Sequence, residues 1–510
     1  MKNSALLLII TLTLWTCKSA QNSKAESISS PSFEETTYQD QWKNVKRLEQ
    51  KGAFKSAQVV CDSILQQAIS NKNPNQLFKA LAHRSKYIHL IEEDAEEKII
   101  GDFEAQIKTA EQPAKALLHS ACGELYRQYH DRNQWKRNNR SDVSADSSAS
   151  LAYWSLEKIM QFAAKHHLKA IEQAELIESY PTQRFETILQ EAPEQTTYLF
   201  YNKKALPTLY ELLAKRSLAF FKYHCSRKTR PIGFQKVADS ILFCSLDHFL
   251  KKELSQQDQK AIDFQTLKLY QKVIRQLDQN NRLDALLHFE LDRLEWAKQE
   301  SEKDKKQELF REALGQLEKS RDWSSEQVSL IKLALAESYQ SSSSLFKSRT
   351  KEDRESNYLS QALAITQEFQ NDSSYAGQRL KQLQATILQT DFSITSENTY
   401  PKGQAALFFM NYRNLDSLNL KLYRIPQDLE LNHRQEREMA LALWRKNPLR
   451  NWSVELKNPK DYRYHNTEFY TKGLEAGRYL LLASSQVNNV EEVDDLAAVL
   501  FNVSNLSLHS

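Results

Sequence analysis

The chain of 510 residues has little glycine and little proline, with 9 and 11 residues respectively. Soluble proteins average about 7% glycine and about 5% proline, so this chain can form few of the tight turns that those residues support. The scarcity argues against a loop-rich enzyme and indicates long helices. The length exceeds what a single hydrophobic core usually holds, so we expect more than one folding unit.

Charge of one sign is not in excess either. The 69 lysines and arginines are nearly balanced by 65 aspartates and glutamates. No basic stripe is interleaved with aromatic residues, as a nucleic-acid groove requires. We therefore expect no nucleic-acid partner.

The common signatures of catalysis and metal binding are missing from the sequence. It contains no Walker loop, no G-x-G-x-x-G, no G-x-S-x-G, no H-E-x-x-H and no C-x-x-C. His166 and His167 are adjacent on a predicted helix, where neighbours point in different directions, so at most one can face a given site. We predict satisfied or exposed histidines, and a non-enzymatic chain without catalytic residues, metal ligands or cofactors.

The N-terminus carries a short apolar run. Lys2 precedes apolar residues 5–15, a stretch below the roughly 20 residues that span a bilayer, so residues 1–16 are predicted to be a signal peptide. The run ends in Leu14-Trp15-Thr16-Cys17, which resembles a bacterial lipobox with Cys17 as the lipid attachment site. Residues 17–38 would then be a flexible tether. Cleavage without lipidation is the alternative.

The remaining cysteines are Cys61, Cys122, Cys225 and Cys244. All four lie among apolar residues in helical patterns. An oxidising compartment would permit disulfides between them, whereas packing as small buried thiols is an equally good interpretation.

Residues 39–390 show apolar residues at three- and four-residue spacing, which predicts amphipathic helices packed in layers. The stripes include 60–64–68, 99–103–107 and 206–209–213–220. Some helix pairs resemble tetratricopeptide units, but no strict period persists. We therefore predict an irregular tetratricopeptide-like α-helical solenoid.

Residues 391–510 change to a period of two, typical of strands with one buried face. Strands are predicted at 405–412, 418–422, 452–456, 467–471, 478–484 and 497–507, with a helical insertion within 428–448. Gly477 followed by Tyr479 suits the corner tyrosine of immunoglobulin-like folds. The sequence thus predicts an α plus β multidomain protein that ends in an immunoglobulin-like β-sandwich.

A family resemblance rests on residues 396–401 (SENTYP), 405–418 (AALFFMNYRNLDSL) and 474–484 (LEAGRYLLLAS). These segments resemble the first macroglobulin-type sandwich of the large alpha-2-macroglobulin-like lipoproteins of Bacteroidetes, which also place helices between the lipid anchor and the sandwich. The resemblance implies the membrane-anchored N-terminal module of an endopeptidase inhibitor that traps proteases. Its partners would be proteases or the remaining macroglobulin domains. Its location would be the cell envelope, on the periplasmic face or the cell surface.

The same resemblance draws attention to Cys122-Gly123-Glu124-Leu125. Thioester-bearing macroglobulins use a Cys-Gly-Glu-Gln run, in which the cysteine thiol forms a thioester with the glutamine side chain. Here Leu125 stands in place of that glutamine and cannot form the thioester. We therefore expect no thioester in this chain. Because the resemblance covers only the anchor, the helices and the first sandwich, we also expect no bait region.

Two other functions remain open. One is a glycan-binding outer-membrane lipoprotein, for which Trp135, Trp323 and Trp444 are the aromatic residues to examine as ligand contacts. The other is a stand-alone helical scaffold for protein assembly.

Overall fold

The computed structural model describes residues 33–93, 95–137, 150–188, 203–226, 237–254, 264–301, 305–344, 357–426, 433–486 and 496–505. The fold is α+β, with helices up to Leu388 and, from Asp391 onward, strands interrupted by a helix at His433–Trp444. The change of character predicted near residue 391 is therefore confirmed. The chain divides into two compact units, a helical unit up to Gln327 and a mixed unit from Val328.

The helical unit is built from helices of very different length. They are α1 (Phe33–Gln50), α2 (Phe54–Ser70), α3 (Pro74–Ile91), α4 (Ala95–Thr109), α5 (Ala114–Arg137), α6 (Leu156–Ala170), α7 (Ala174–Ile177), α8 (Leu209–Ser226), α9 (Asp239–Leu242), α10 (Leu246–Lys251), α11 (Phe264–Gln279), α12 (Leu283–Glu300) and α13 (Lys306–Glu318). Helix α14 (Ser325–Ser344) crosses the division between the units.

Local sequence signals explain the first helices. Gly52 adopts φ +69° in the turn between α1 and α2, a conformation that glycine reaches without steric cost. Asn73 caps α3 by accepting a hydrogen bond from the backbone N–H of Gln76, and Pro74 begins the helix. Helix α1 begins at Phe33, so residues 33–38 of the predicted tether are helical.

The predicted apolar stripes form the interior of the helical unit. Residues 99, 103 and 107 of α4 are buried, as are residues 206, 209, 213 and 220. The stripe 60–64–68 needs a correction, because Val60 is only half-buried and the buried face runs through Cys61 instead.

Among the described residues, the strands of the mixed unit form two sheets. The strands are β1 (Asp391–Ser396), β2 (Thr399–Pro401), β3 (Ala406–Arg413), β4 (Ser417–Ile425), β5 (Arg450–Glu455), β6 (His465–Thr471), β7 (Gly477–Ser484) and β8 (Ala497–Ser504). One sheet has the order β1-β3-β6 and the other β2-β8-β7-β4-β5. All neighbours are antiparallel except β2 and β8.

Both sheets contribute to one hydrophobic cluster. Phe408 and Met410 of β3 meet Leu420 of β4 and Phe501 of β8, and all four side chains are fully buried. The helix predicted within residues 428–448 is α17 (His433–Trp444), and it packs on the other face of the five-stranded sheet. Strand β7 is therefore buried on both faces, which explains its nearly continuous apolar sequence.

The last helices before the sheets belong to the mixed unit. Helices α15 (Tyr358–Glu368) and α16 (Tyr375–Leu388) share a hydrophobic cluster with α14. The side-chain amide of Asn414 donates hydrogen bonds to the carbonyls of Ile387 and Gln389, at 2.7 and 3.0 Å. These bonds satisfy carbonyls that the end of α16 leaves without helical partners and tie that helix to the β3–β4 turn.

Candidate functional site

The predicted lipid attachment site, Cys17, lies outside the described residues, together with the predicted signal peptide. The structure therefore leaves both as predictions. No helix among the described residues has the length and apolar character needed to cross a membrane.

Within the described residues, one group of histidine, cysteine and acidic side chains is close enough to hold a metal ion. It consists of Glu104, Cys122 and His166, whose donor atoms all lie within 4.8 Å of one another. They come from α4, α5 and α6, helices that pack side by side in the helical unit. We refer to these three residues as the Glu-Cys-His cluster.

Two further side chains hold the cluster in place. His119 lies one helical turn before Cys122 on α5, and its Nδ1 is 3.0 Å from Nδ1 of His166. The hydroxyl of Tyr126, one turn further along α5, donates a hydrogen bond of 2.7 Å to Glu104 Oε1. Residues at this spacing share one helix face, so α5 presents His119, Cys122 and Tyr126 together.

The distances inside the cluster are short. His166 Nε2 is 3.6 Å from Glu104 Oε1 and 3.9 Å from Cys122 Sγ. The His166 and Cys122 side chains are buried, whereas the carboxylate of Glu104 is partly exposed. The cluster therefore reaches solvent at its acidic member.

The pKa values of Glu104, Cys122 and the neighbouring His119 are all shifted from their usual values. The His166 ring holds the pKa of Glu104 below its usual value, against the opposing effect of burial. Burial, with the Glu104 charge nearby, raises the pKa of the Cys122 thiol. Burial likewise lowers the pKa of His119 to about 4, so this ring is neutral at pH 7.

His167 points away from the cluster, as expected for the neighbour of His166 on a helix. Its ring stacks on Phe220 at a centroid distance of 4.5 Å, and neither ring nitrogen has a hydrogen-bond partner among the described residues. The prediction that each histidine is either satisfied or exposed is thus wrong for His167. Burial lowers the pKa of His167 to about 3.

The packing of α5 explains the residues found in the Cys-Gly-Glu-Leu run, and Gly123 above all. A Cβ atom at this position would lie 2.7 Å from Cδ2 of His167 and 3.1 Å from the carbonyl oxygen of Ala163. Glycine therefore permits the close approach of α5 and α6. Glu124 forms an ion pair of 2.6 Å with Arg127, and Leu125 is buried, so the three residues after Cys122 have structural roles.

A cavity of about 400 Å³ lies on another side of α5. Its lining is mostly apolar and includes His167, Glu124, Arg127 and Arg216. The Arg216 side chain donates a hydrogen bond of 3.0 Å to Ser120 Oγ. The lining does not include the Glu-Cys-His cluster, so the cavity and the cluster are separate features of the helical unit.

The structure describes most of the other cysteine and tryptophan side chains singled out from the sequence. Cys61, Cys122 and Cys244 are free thiols, and the Cys225 side chain lies outside the described atoms. Trp323 donates a hydrogen bond of 2.7 Å to the Leu317 carbonyl, and Trp444 is buried against the five-stranded sheet. The Trp135 side chain is outside the described atoms.

Sequence reasoning missed the Glu-Cys-His cluster because its members are far apart along the chain and follow no ligand-spacing motif. The one available signal is the placement of His119, Cys122 and Tyr126 on the same face of α5. Helix packing supplies the rest. Chemically, a thiol, an imidazole and a carboxylate are a donor set suited to a divalent transition metal.

No protein-family profile matches the chain, and no curated protein matches it. Among the solved structures that align with the chain, the following two show weak similarity. A CARDB domain from Pyrococcus furiosus, in complex with di-metal ions, aligns at 14% identity over 22% of this chain and 92% of its own, with a TM-score of 0.15. The alkylpurine DNA glycosylase AlkC of Pseudomonas fluorescens, bound to DNA containing an abasic-site analogue, aligns at 10% identity over 80% of this chain and 97% of its own, with a TM-score of 0.14.

Proposed function

We propose that this chain is the non-enzymatic N-terminal module of an alpha-2-macroglobulin-like endopeptidase inhibitor, anchored to a membrane of the cell envelope through a lipid on Cys17. In this proposal an irregular helical solenoid carries a macroglobulin-type sandwich away from the membrane. The sandwich then engages the remaining macroglobulin domains or a captured protease.

The observation that carries the proposal is the distribution of strands between the two sheets. With β1, β3, β4, β6, β7 and β8 taken as strands A, B, C, E, F and G, one sheet contains A, B and E and the other contains C, F and G. This is the distribution of immunoglobulin-like sandwiches, apart from strand D. It supports the type of domain that the sequence resemblance implies.

Tyr479 adds support from a side chain. It lies near the start of β7, the strand in the F position, and its hydroxyl donates a hydrogen bond of 2.8 Å to the carbonyl of Glu475. A tyrosine at the start of strand F that bonds to backbone a few residues upstream is the tyrosine corner of this fold. The predicted role of Tyr479 therefore agrees with its contact.

The solenoid part of the proposal rests on helix neighbours. From α1 to α6, each helix packs against the next one in the chain. Such sequential packing is typical of helical repeat proteins, in which each unit contacts its neighbours. The very short helices α7, α9 and α10 interrupt the regularity, in line with an irregular array.

A protein partner is supported by an exposed apolar patch on the three-stranded sheet. Leu407, Phe409 and Tyr470 are 48%, 44% and 70% exposed. Leu407 lies directly opposite Tyr470 across β3 and β6, and Phe409 is on the same face as Leu407. Exposed apolar side chains that adjoin one another favour a protein interface. The patch also suits the alternative of a stand-alone assembly scaffold.

The test of the proposal is the size and behaviour of the native protein. Antibodies against the mixed unit are used to purify it from the membranes of its source, and its intact mass is measured. We expect a polypeptide much heavier than the 59.3 kDa of this chain. After reaction with an endopeptidase, that protein should retain a protease that cleaves a small peptide substrate but no longer cleaves a protein substrate. A native mass that matches this chain would contradict the proposal and favour the scaffold.

Replacing the predicted lipid attachment site gives a second expected result. Cys17→Ala removes the thiol to which the diacylglyceryl group would attach, and each buried CH₂ of such a chain contributes about 0.8 kcal/mol to membrane binding. We expect the variant to move from the membrane fraction to the soluble fraction in cell fractionation. Ser19→Ala is the control and should stay with the membrane. Retention of the Cys17→Ala variant in a high-salt membrane wash would show that the anchor lies elsewhere.

A further inference from the structure

We propose that Glu104, Cys122 and His166 bind one zinc ion in the helical unit, with a fourth coordination position open to water. This site is independent of the proposed protease-trap function. It replaces the expectation from sequence that the chain holds no metal ligands.

The geometry is close to that of a zinc site. Typical zinc distances are about 2.0–2.2 Å to nitrogen or oxygen and about 2.3 Å to sulfur, so tetrahedral ligand atoms are separated by about 3.3–3.6 Å. The observed separations from His166 Nε2 are 3.6 Å to Glu104 Oε1 and 3.9 Å to Cys122 Sγ. The third separation, between the Glu104 carboxylate and Cys122 Sγ, is within 4.8 Å, so binding one ion requires these two atoms to approach each other by up to about 1.2 Å.

The surroundings supply the outer contacts that metal ligands usually have. A metal-bound histidine generally donates its other ring N–H to an acceptor, which fixes its tautomer. With Nε2 of His166 on the ion, its Nδ1–H donates to Nδ1 of His119 across the observed 3.0 Å. The Tyr126 hydroxyl likewise fixes Glu104 through its hydrogen bond of 2.7 Å.

Charge balance favours a divalent ion here. The Cys122 thiolate and the Glu104 carboxylate together carry two negative charges, and His166 binds as a neutral imidazole. A doubly charged cation makes this set neutral, which removes most of the cost of placing charge among buried side chains. The thiol must lose its proton to solvent when the ion binds.

The choice of metal and the open position follow from the donors. Thiolate with imidazole favours zinc among the common divalent ions, and three protein ligands leave one position for water or substrate. Glu104 is the partly exposed member, with a side chain 37% exposed. Ions and water therefore enter from the Glu104 side.

The experiment uses the untagged, full-length protein after removal of metal with a chelator. Elemental analysis after zinc loading and dialysis is expected to find one zinc ion per chain. Titration with Co²⁺ should produce a thiolate-to-cobalt charge-transfer band and the intense visible bands of a tetrahedral site, both lost on addition of excess zinc. In weakly buffered solution at neutral pH, zinc binding should release about one proton per ion.

Variants assign the site. Cys122→Ser should abolish the charge-transfer band, and Glu104→Gln should weaken zinc binding by at least about 100-fold while keeping the band, since even outer contacts contribute about 10–100-fold. His119→Gln tests the outer contact and should weaken binding by about 10–100-fold. Cys61→Ser is the matched control, because Cys61 is also a buried free thiol of the helical unit but lies outside the cluster.

Circular dichroism first establishes that each variant is folded. If Cys122→Ser does not fold, Glu104→Gln decides the question, because its side chain is partly exposed. The proposal is overturned if the native protein gives no thiolate-to-cobalt band. It is also overturned if Cys61→Ser loses the band, or if folded Glu104→Gln and Cys122→Ser bind zinc as tightly as the native protein.

Discussion

Glu290→Gln is expected to lower the free energy of unfolding of the helical unit by about 3–5 kcal/mol, because it leaves a buried guanidinium without its counter-charge. Glu290 and Arg293 lie one turn apart on α12, and their side chains are 1% and 0% exposed. Two hydrogen bonds of 2.6 and 2.8 Å join them in a bidentate pair. Burial lowers the pKa of Arg293, but the Glu290 carboxylate, with smaller contributions from Cys244 and Tyr270, raises it, and the net shift is upward.

Arg293 also connects α12 to the short helices near it. It donates hydrogen bonds of 2.7 and 3.1 Å to the carbonyls of Leu242 and Cys244, and its guanidinium lies 4.3 Å from the centre of the Phe249 ring. Short helices such as α9 and α10 have little internal hydrogen bonding of their own. The buried pair therefore stabilises both packing and backbone in this part of the unit.

Hydrogen exchange with mass spectrometry on the full chain measures the effect, with peptides of the mixed unit as an internal reference. Glu295→Gln on the same helix is the control, since Glu295 is 45% exposed in its pair with Lys298 and such pairs contribute about 0–1 kcal/mol. The double variant Glu290→Leu with Arg293→Met should be more stable than Glu290→Gln, because it buries no charge. A loss below about 1 kcal/mol for Glu290→Gln would contradict the buried-pair interpretation.

The second large effect is expected in the mixed unit. Phe408→Ala should cost about 3–5 kcal/mol of its unfolding free energy, the usual loss for a fully buried phenylalanine. Phe408 is 0% exposed at the centre of the cluster that both sheets share. Its ring stacks on Phe469 at 5.2 Å and meets Phe501 edge-on at 5.3 Å, contacts that contribute beyond the buried area.

The next residue provides a matched control. Phe409 is 44% exposed on the opposite face of β3, so Phe409→Ala should change stability by no more than about 0.5 kcal/mol. The full chain of each variant is unfolded with increasing urea, and hydrogen exchange of peptides from β7 monitors the unfolding of the mixed unit. The difference in unfolding free energy between each variant and the native protein is the quantity compared. Equal losses for the two substitutions would show that the register of β3 is wrong.

Alternation and spacing predicted much of the fold. The six strands expected from alternating residues are present, and the helix expected within 428–448 is α17. Strands β1 and β2 were not predicted. Strand β1 has a single buried residue, Ile394, and β2 has three residues and ends at Pro401, too few to show a period. The unit boundary near residue 327 also lies inside α14, where no break in the apolar pattern marks it.

The candidate site, like the fold, was predictable from the sequence only in part. The sequence by itself determined that His166 and His167 face different surroundings and that Cys122 lies on an apolar helix face, because a helix fixes the direction of each side chain relative to its neighbours. Only the tertiary structure decided that Glu104 and His166 meet Cys122. Those contacts join separate helices, and their geometry depends on how closely α5 and α6 approach at Gly123, which is a property of packing between elements that local periodicity does not encode.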